Sequence, residues 1–543
     1  MLQSLVELHD KVIDELPPAA YKERPIGWEV ELSSAGELQG VPVEVSDRKN
    51  VPNHERSGRA SRPRLIDTAE YVLGLPEENK ESRAKRHHEN FRDLLQRAAD
   101  ETGIDALKAY LNYVEHSDVA DLPEEMGRRD IVLINVEGEA VHKRPDVQAW
   151  WSDYIDEVKG EKMTEHGPCA VCGEERPIAR LHGKIRRFDS KLISYDKPAY
   201  RSYGKEKSYG AWTCQKCARK ISRTLSWLFD SEDHRYYFNN VSWVFWTEDP
   251  APAISLQPLK DGDPNKIKRL LSGYYDGTLL ENDTPLWALG IESNEGRLIV
   301  KHQWRKTTGR VQTNLARYFD AMETGGQYFG ATRLMMSLIQ TASGNRTPGD
   351  IPAWIEAGLM DTALTGRPLA APFLLTALDR NQALGRVSDP RAALLRLYLI
   401  THEHAMPSAL DPDHERQSYH LGRLFATLEE IQEAAHHNLN TTITDRFFKS
   451  ASTSPRSVFG NLMSKAQAHL SNLRKNKKGA YKNLQKQLGA VTNRIHDWPA
   501  TLTPEEQAFF SLGYYHQREE RFSGSPDAET ADADANESDE QPA

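Results

Sequence analysis

Hydrophobic and polar positions alternate with a period of two in IGWEVEL (26–32) and LQGVPVEV (38–45), which predicts two strands flanking a turn at Ser33–Gly36. Residues 80–115 carry a helical period, DIVLINVEG (130–138) is a strand signal, and 145–158 is helical again. Further on, VSWVFWTE (241–248), PLWALGIES (285–293) and GRLIVKHQW (296–304) predict strands, the last two joined by a short turn around Asn294–Gly296. From about Pro368 the period becomes helical and stays so. Leu421, Leu424, Phe425, Leu428 and Ile431 repeat at three- and four-residue steps, and so do Tyr481, Leu484, Leu488, Val491, Ile495 and Trp498. Such stripes predict the buried seam of a helical bundle and leave residues off the stripe for partners. Thr503, Pro504 and Glu506 form a capping box with proline at the first helical position, so a last helix is expected through about Glu520. The fold class that follows is α+β, with a mixed α/β N-terminal region and an all-α C-terminal bundle.

Length refines this picture. A chain of 543 residues, 38% of them hydrophobic, is long enough for about three or four domains. The expected organisation is an N-terminal α+β region (1–160), a basic four-cysteine module (161–235), a second α+β region (236–367), a helical bundle (368–522) and an acidic, disordered tail (523–543). The opening MLQSLVELHDKVIDELPP is too charged for a signal-peptide core. VSWVFW (241–246), the most apolar segment, is strand-sized and far short of a membrane span. A cytoplasmic protein with no membrane partner is expected.

In a reducing compartment cysteines read as metal ligands rather than disulfides. All four cysteines of the chain fall in two pairs, Cys169 with Cys172 and Cys214 with Cys217, giving C-x2-C-x41-C-x2-C. Four thiolates suit a closed tetrahedral zinc site that staples two distant segments and leaves no open position for catalysis, so about one structural zinc per chain is expected.

Charge is segregated along the chain. From Arg176 to Arg223 there are fourteen Lys and Arg against three acids, with Phe188, Tyr195, Tyr200, Tyr203, Tyr209 and Trp212 among them. Basic groups neutralise phosphates and aromatic faces stack on unpaired bases, so this mixture suits nucleic acid. Lys184, Arg186, Arg187, Arg201, Lys205 and Lys207 are its backbone-contact candidates. Between Arg446 and His496 lie eleven Lys and Arg and no acid, with Arg474, Lys475, Lys477, Lys478 and Lys482 as candidates on a path for a single strand. A third cluster, RKNVPNHERSGRASRPR (48–64), has six bases and one acid in a Pro/Gly/Ser-rich loop. The formal charge of −10 does not oppose this, because removing the seven acids of the last 21 residues leaves −3.

Catalytic signals are thin. GGQYFGAT (325–332) has phosphate-loop glycine spacing but Ala331 where the lysine must stand. HEHAMPSALDPDHE (402–415) gathers three histidines and four carboxylates without the four-residue His step of a helix-borne metal site, and reads as a solvated loop. No Gly-x-Ser-x-Gly elbow occurs, and a non-catalytic protein is expected.

Ten blocks then carry a family resemblance. LVELHDKVIDELPPAAY (5–21), LIDTAEYVLGL (65–75), PIARLHGKI (177–185), PAYRSYGKEKSYGA (198–211) and VSWVFWTED (241–249) resemble the large subunit of the type I-C CRISPR effector complex, Cascade. So do LWALGIESNEGRLIVKHQW (286–304), TGRPLAAPFLLTAL (365–378), YHLGRLFATLEEIQ (419–432), TTITDRFFKSASTSPRSVF (441–459) and EEQAFFSLGYYHQR (505–518). The match runs in order over residues 1–522. The resemblance implies a non-catalytic subunit that inspects the protospacer-adjacent motif, helps unwind target double-stranded DNA, holds the displaced strand and supports recruitment of a nuclease-helicase. Base pairing with CRISPR RNA reads the remaining sequence. Implied partners are CRISPR RNA, the other Cascade subunits and a small subunit made from an internal start in the same gene, for which Met406 is a candidate. By analogy motif reading falls in the N-terminal region, where Lys49, Asn53, Arg56, Arg59, Arg62 and Arg64 are the candidates. Family members often have C-x-V-T-G where this chain has CAVCG, and N-A-P-V-S-E where it has GAWTCQKC, so zinc is expected of this sequence and its nearer kin. The rival readings are a zinc-ribbon RNA- or DNA-binding regulator outside CRISPR and a metal-dependent nuclease.

Overall fold

The computed structural model describes the chain except residues 17, 19, 55–61, 118–121, 161–164, 196–197, 202, 239–240, 251–255, 282, 295, 341–346, 348–349, 437–441 and 524–543. The acidic tail expected from Ser523 therefore lies almost wholly outside the described residues. The chain divides into two compact units, Met1–Trp227 and Leu228–Ala543. Both mix helix and sheet, and the C-terminal part is helical, as the α+β reading requires.

In the first unit the strand Tyr21–Leu32 buries Ile26, Trp28, Val30 and Leu32 at alternate positions. It pairs antiparallel with Val43–Pro52 and parallel with Ile131–Val136, which is buried along nearly its whole length. Two differences from the periodicity follow from this ladder. Leu38 makes only an isolated bridge to Leu32, so the second strand starts at Val43. It then runs on to Pro52, drawing Arg48 and Lys49 out of the expected loop and into register with Pro25 and Arg24. The helical stretch 80–115 is two helices, Glu81–Thr102 and Asp105–His116, because Gly103 takes a left-handed φ of 70° that closes the first. Phe91, Leu94, Leu95, Ala98 and Ala99 of the first helix pack with Tyr110, Val132 and Trp151 in one core.

The second unit starts with an antiparallel sheet in the order Arg235–Phe238, Val241–Trp246, Pro285–Asn294, Arg297–Thr307. The helices Gln257–Asp261 and Pro264–Tyr275 lie between its strands, and from Thr308 helices follow one another with no further strand among the described residues, about sixty residues earlier than the periodicity indicates, because the turns before Pro368 interrupt the stripe without interrupting the core. Val311, Leu315, Leu334, Leu359, Leu369, Phe373 and Leu395 share one cluster with Trp243 and Phe245 of the sheet. The bundle after Gln417 has its own core, containing all five residues of the Leu421–Ile431 stripe. The helix Lys478–Thr492 stops before Ile495 and Trp498, yet both still pack on that core, Trp498 stacking on Phe459 at 5.3 Å. The final helix Pro504–Ser523 has the expected capping box: Thr503 N–H donates to Glu506 Oε2 at 2.7 Å and Glu506 N–H to Thr503 Oγ1 at 3.3 Å. Its Phe510 and Tyr514 belong to the bundle core, whereas Ala508, Phe509, Leu512 and Tyr515 belong to the core beneath the sheet. No helix among the described residues is long and apolar enough to cross a membrane.

Buried histidines make stability acid-sensitive. His142 is fully buried, stacks on Tyr21, and has no hydrogen-bond partner for either ring nitrogen among the described residues. Burial, helped by Lys143 and Lys49, lowers its pKa from 6.5 to about 4. The unfolded chain therefore takes up the proton first as pH falls. The stabilisation is complete above pH 6.5 and is lost as pH falls toward 4, the loss reaching about 3 kcal/mol. The urea midpoint should fall over this range, and less steeply in His142→Asn. An unchanged slope in the variant would remove His142 from the account.

Candidate metal centre and nucleic-acid surface

Cys169 follows the short strand His166–Pro168, and the chain turns back into Glu175–Pro177. The turn is closed by Cys169 N–H to Glu174 O at 2.9 Å and Gly173 N–H to Cys169 O at 2.8 Å. Gly173 supplies the left-handed φ of 76° that this needs. Cys214 stands immediately before the helix Gln215–Asp230, and Cys217 lies in its first turn. Ala170 N–H to Trp212 O and Ala179 N–H to Thr213 O, both 2.9 Å, sew the two cysteine pairs together.

The four Sγ atoms lie within 4.8 Å of one another. A tetrahedral zinc with bonds of about 2.3 Å needs sulfurs about 3.8 Å apart, so the donor set fits with small adjustments. Backbone N–H groups already point at the sulfurs: Val171 and Cys214 donate to Cys169 Sγ at 3.4 and 3.2 Å, and Cys217 to Cys214 Sγ at 3.4 Å. All four cysteines are free; Cys169, Cys214 and Cys217 are buried and Cys172 is exposed. The Cys217 thiol and N–H bonding to Cys214 lower the Cys214 pKa to about 5, while the Cys217 thiol is pushed up by that same hydrogen bond and by burial, and burial pushes Cys172 up. Without a cation the cluster accommodates one thiolate readily and resists more; a dication removes that resistance. Among the described residues this is the one group of His, Cys, Asp or Glu arranged to hold a metal. The histidines of 402–415 do not gather. His414 stacks on Tyr419 at 4.5 Å and His404 meets the edge of Phe509, so the segment is partly packed rather than simply solvated.

What the cysteines hold in place is the helix Gln215–Asp230 and its neighbours. Val6 of the helix Leu2–Lys11 packs directly on the cluster. Thr224 Oγ1 donates to Leu5 O at 3.1 Å, Lys220 pairs with Asp10, and Arg219 pairs with Asp156 at 2.9 Å.

The basic candidates divide by whether their charge is already answered. Lys184 pairs with Asp189 at 2.9 Å and Arg201 with Glu206 at 2.8 Å. Lys205 lies 4.1 Å over the ring of Trp212, which itself packs on the backbone of Gly167, so this tryptophan is occupied. Arg186 and Arg187 are exposed on the 3-10 turn Arg186–Phe188, and Lys207 is half-buried. Tyr203 is fully exposed. In the N-terminal region Lys49 pairs with Glu29. Asn53 N–H donates to Ala20 O at 2.7 Å, and the loop neck is closed by Arg64 Nη2 to His54 O at 3.2 Å and by His54 Nε2 with Pro63 O at 3.1 Å. Arg62 is half-buried beside this neck, whereas Arg56 and Arg59 lie outside the described residues.

The bundle keeps the most open charge. Phe425 meets Phe459 and His436 meets His469, which runs Pro455–Asn476 along Gln417–Ala435. Lys477 bonded to Ala434 O and Gln487 bonded to Thr427 run the next helix back. The two helices are a hairpin with its tip at Lys477, where φ −143° and ψ 68° break the helix. Arg474, Lys475, Lys478 and Lys482 surround that tip, all exposed and none in an ion pair among the described residues. Lys477 instead donates to Ala434 O at 2.9 Å, giving it a structural task. Sequence reasoning missed the His436–His469 contact, 3.1 Å between ring nitrogens, because the partners are 33 residues apart on different helices.

A comparison with protein families matches residues 3–522 to the family described as CRISPR-associated protein (Cas_Csd1). No curated protein matches the chain.

Proposed function

The chain belongs to the Cas_Csd1 family of CRISPR-associated proteins, and from that premise we propose that it is the non-catalytic large subunit of a type I-C Cascade. In this reading it works beside CRISPR RNA and the other Cascade subunits, inspects the protospacer-adjacent motif in double-stranded DNA, and helps to unwind it. It then holds the displaced strand, supports the arrival of a nuclease-helicase, and has a C-terminal counterpart translated as a small subunit. The observation that carries the reading is a family match spanning nearly the whole chain. Arg474, Lys475, Lys478 and Lys482 around the hairpin tip, exposed and in no ion pair among the described residues, are consistent with it, since cations on a helical surface are what a phosphate backbone meets. We also assign zinc to Cys169, Cys172, Cys214 and Cys217, where it would act structurally by joining two segments.

The test is assembly and DNA loading. Co-expression should recover the chain with CRISPR RNA and the other subunits, and recovery without RNA would sink the reading. Replacing Arg474, Lys475, Lys478 and Lys482 by alanine should leave assembly intact. It should reduce loading of the displaced strand and lower the salt slope of single-strand binding by about 3, at roughly 0.7 per phosphate contact. Lys477 is left in place because it secures the hairpin through Ala434. Unaltered loading in the fourfold variant would show that the strand runs elsewhere.

A further inference from the structure

The strand pair Tyr21–Leu32 and Val43–Pro52 contains a cation that no carboxylate pairs with among the described residues. Arg24 lies directly across from Lys49 in the antiparallel register of Tyr21–Leu32 and Val43–Pro52. Like charges directly opposed on a ladder repel, and a native pair of this kind needs counter-charge. Lys49 has it in Glu29. Arg24 does not. It is half-buried, its Nη1 is shut off from solvent without a hydrogen-bond acceptor, and among the described residues no carboxylate pairs with it. Burial lowers its pKa. An enclosed guanidinium nitrogen without an acceptor calls for a reason.

The surroundings indicate the ligand. Lys22, two residues earlier and therefore on the same face of the strand, is exposed and also without an ion pair among the described residues. It stands across from Val51, one residue before the chain leaves the sheet at Pro52. Asn53 then bonds to Ala20, and the neck formed by His54, Pro63 and Arg64 follows. Thus Arg24 and Lys22 lie on the strand pair whose second strand ends at Pro52, just before this neck. A guanidinium and an ammonium two residues apart on one strand face suit a tetrahedral oxyanion, and arginine binds such groups through two of its nitrogens.

We propose that Arg24, assisted by Lys22, is a binding site for a backbone phosphodiester of the nucleic acid that this protein engages. This deepens the nucleic-acid reading given above and rests on it. The contact fixes the strand pair against the backbone and carries no sequence information of its own, since phosphates are alike at every base pair.

The experiment uses the full chain in its assembled complex, with fluorescence anisotropy of a motif-bearing duplex and of a scrambled duplex over a range of salt. Arg24→Gln should weaken both duplexes by the same factor, roughly three- to tenfold at low salt. It should also lower the salt slope by about 1, the loss of one phosphate contact. Arg24→Lys should keep the slope, and Lys22→Gln should act in the same direction as Arg24→Gln with no change in melting temperature. Because Arg24 makes no hydrogen bond or ion pair among the described residues, Arg24→Gln should melt at or above the wild-type temperature. An unchanged slope and affinity in Arg24→Gln overturns the proposal, and so does a variant that melts several degrees lower, which would give Arg24 a structural role. Inorganic phosphate is the second arm: if it raises the wild-type melting temperature but not that of Arg24→Gln while DNA binding is the same in both, the site takes a small free anion and the proposal fails. A wild-type complex that binds neither duplex refutes the nucleic-acid reading itself, an outcome distinct from binding without a contribution from Arg24.

Discussion

Replacing Cys217 by serine is expected to release the metal and to loosen everything the cysteine cluster holds together. Protein purified without chelator should carry about one zinc per chain, and the variant none. The expected loss is large because metal binding is folding free energy for such modules, about 10–16 kcal/mol in isolated zinc-finger peptides. Here part of that is shared with ordinary packing, so the unit should persist while the module frays. The structure says where the fraying should spread. Cys217 opens the helix Gln215–Asp230, Val6 rests on the cluster, and Thr224 and Lys220 hold the helix Leu2–Lys11. Hydrogen exchange should therefore lose protection at 166–224 and 2–11, while the core of Trp28, Val132 and Trp151 stays protected. Cys172→Ser, at the exposed ligand, should release the metal equally, since three sulfurs cannot close the site. Zinc-free wild-type protein with full protection at these helices would end the assignment.

These expectations differ in how far the chain itself announces them. The cysteines were legible because ligation demands two residues a few positions apart, and each pair is local even though the pairs are 41 residues distant. The Thr503–Glu506 cap was legible for the same reason: its bonds close within one turn. Arg24 was not. Its isolation depends on which strand residue faces it and on Glu29 having taken Lys49, and both are facts of register. Basic count alone also overstated the surface around the cysteines, because Lys184, Arg201, Arg219 and Lys220 meet carboxylates that are near in space and, for the last two, far in sequence. The bundle stripe correctly located a core, but periodicity could not show that the final helix serves two cores at once. A product beginning at Met406 would lack the helices Ala371–Leu384 and Asp389–Thr401 that share that second core, so it would bare Ala508, Phe509, Leu512 and Tyr515. The shared helix indicates that such a product needs a partner surface.

Gly422→Ala is expected to destabilise the protein by about 3 kcal/mol, the upper end of what overpacking costs, against the direction that helix propensity predicts. Glycine inside a helix normally costs stability, and alanine in its place gains about 0.5–1 kcal/mol. Gly422 lies in Gln417–Ala435, where that helix crosses Pro504–Ser523, and a Cβ there would come within 1.9 Å of the Phe510 carbonyl oxygen. Gly513 answers from the other side, its Cβ falling 2.0 Å from the Tyr419 carbonyl oxygen. Two backbones thus touch with no side chain between them, and neither obstacle is a flexible side-chain end that can swing away. Relief requires the helices to separate. Separation would strain the hydrogen bond from Tyr514 OH to Glu429 at 2.9 Å and that from Arg423 Nε to Gln517 at 3.0 Å. It would also pull the last helix from both cores it serves, so the loss should appear as one cooperative transition spanning residues 236–523. Gly460 and Gly489 give the control, because both are helical and a Cβ at either meets nothing within 4 Å. Their alanine variants should melt higher than wild type in the same assay in which Gly422→Ala and Gly513→Ala melt lower. If all four glycines respond with the same sign, the close crossing does not organise the bundle, and the hairpin that carries Arg474 and Lys478 owes its position to side-chain packing alone.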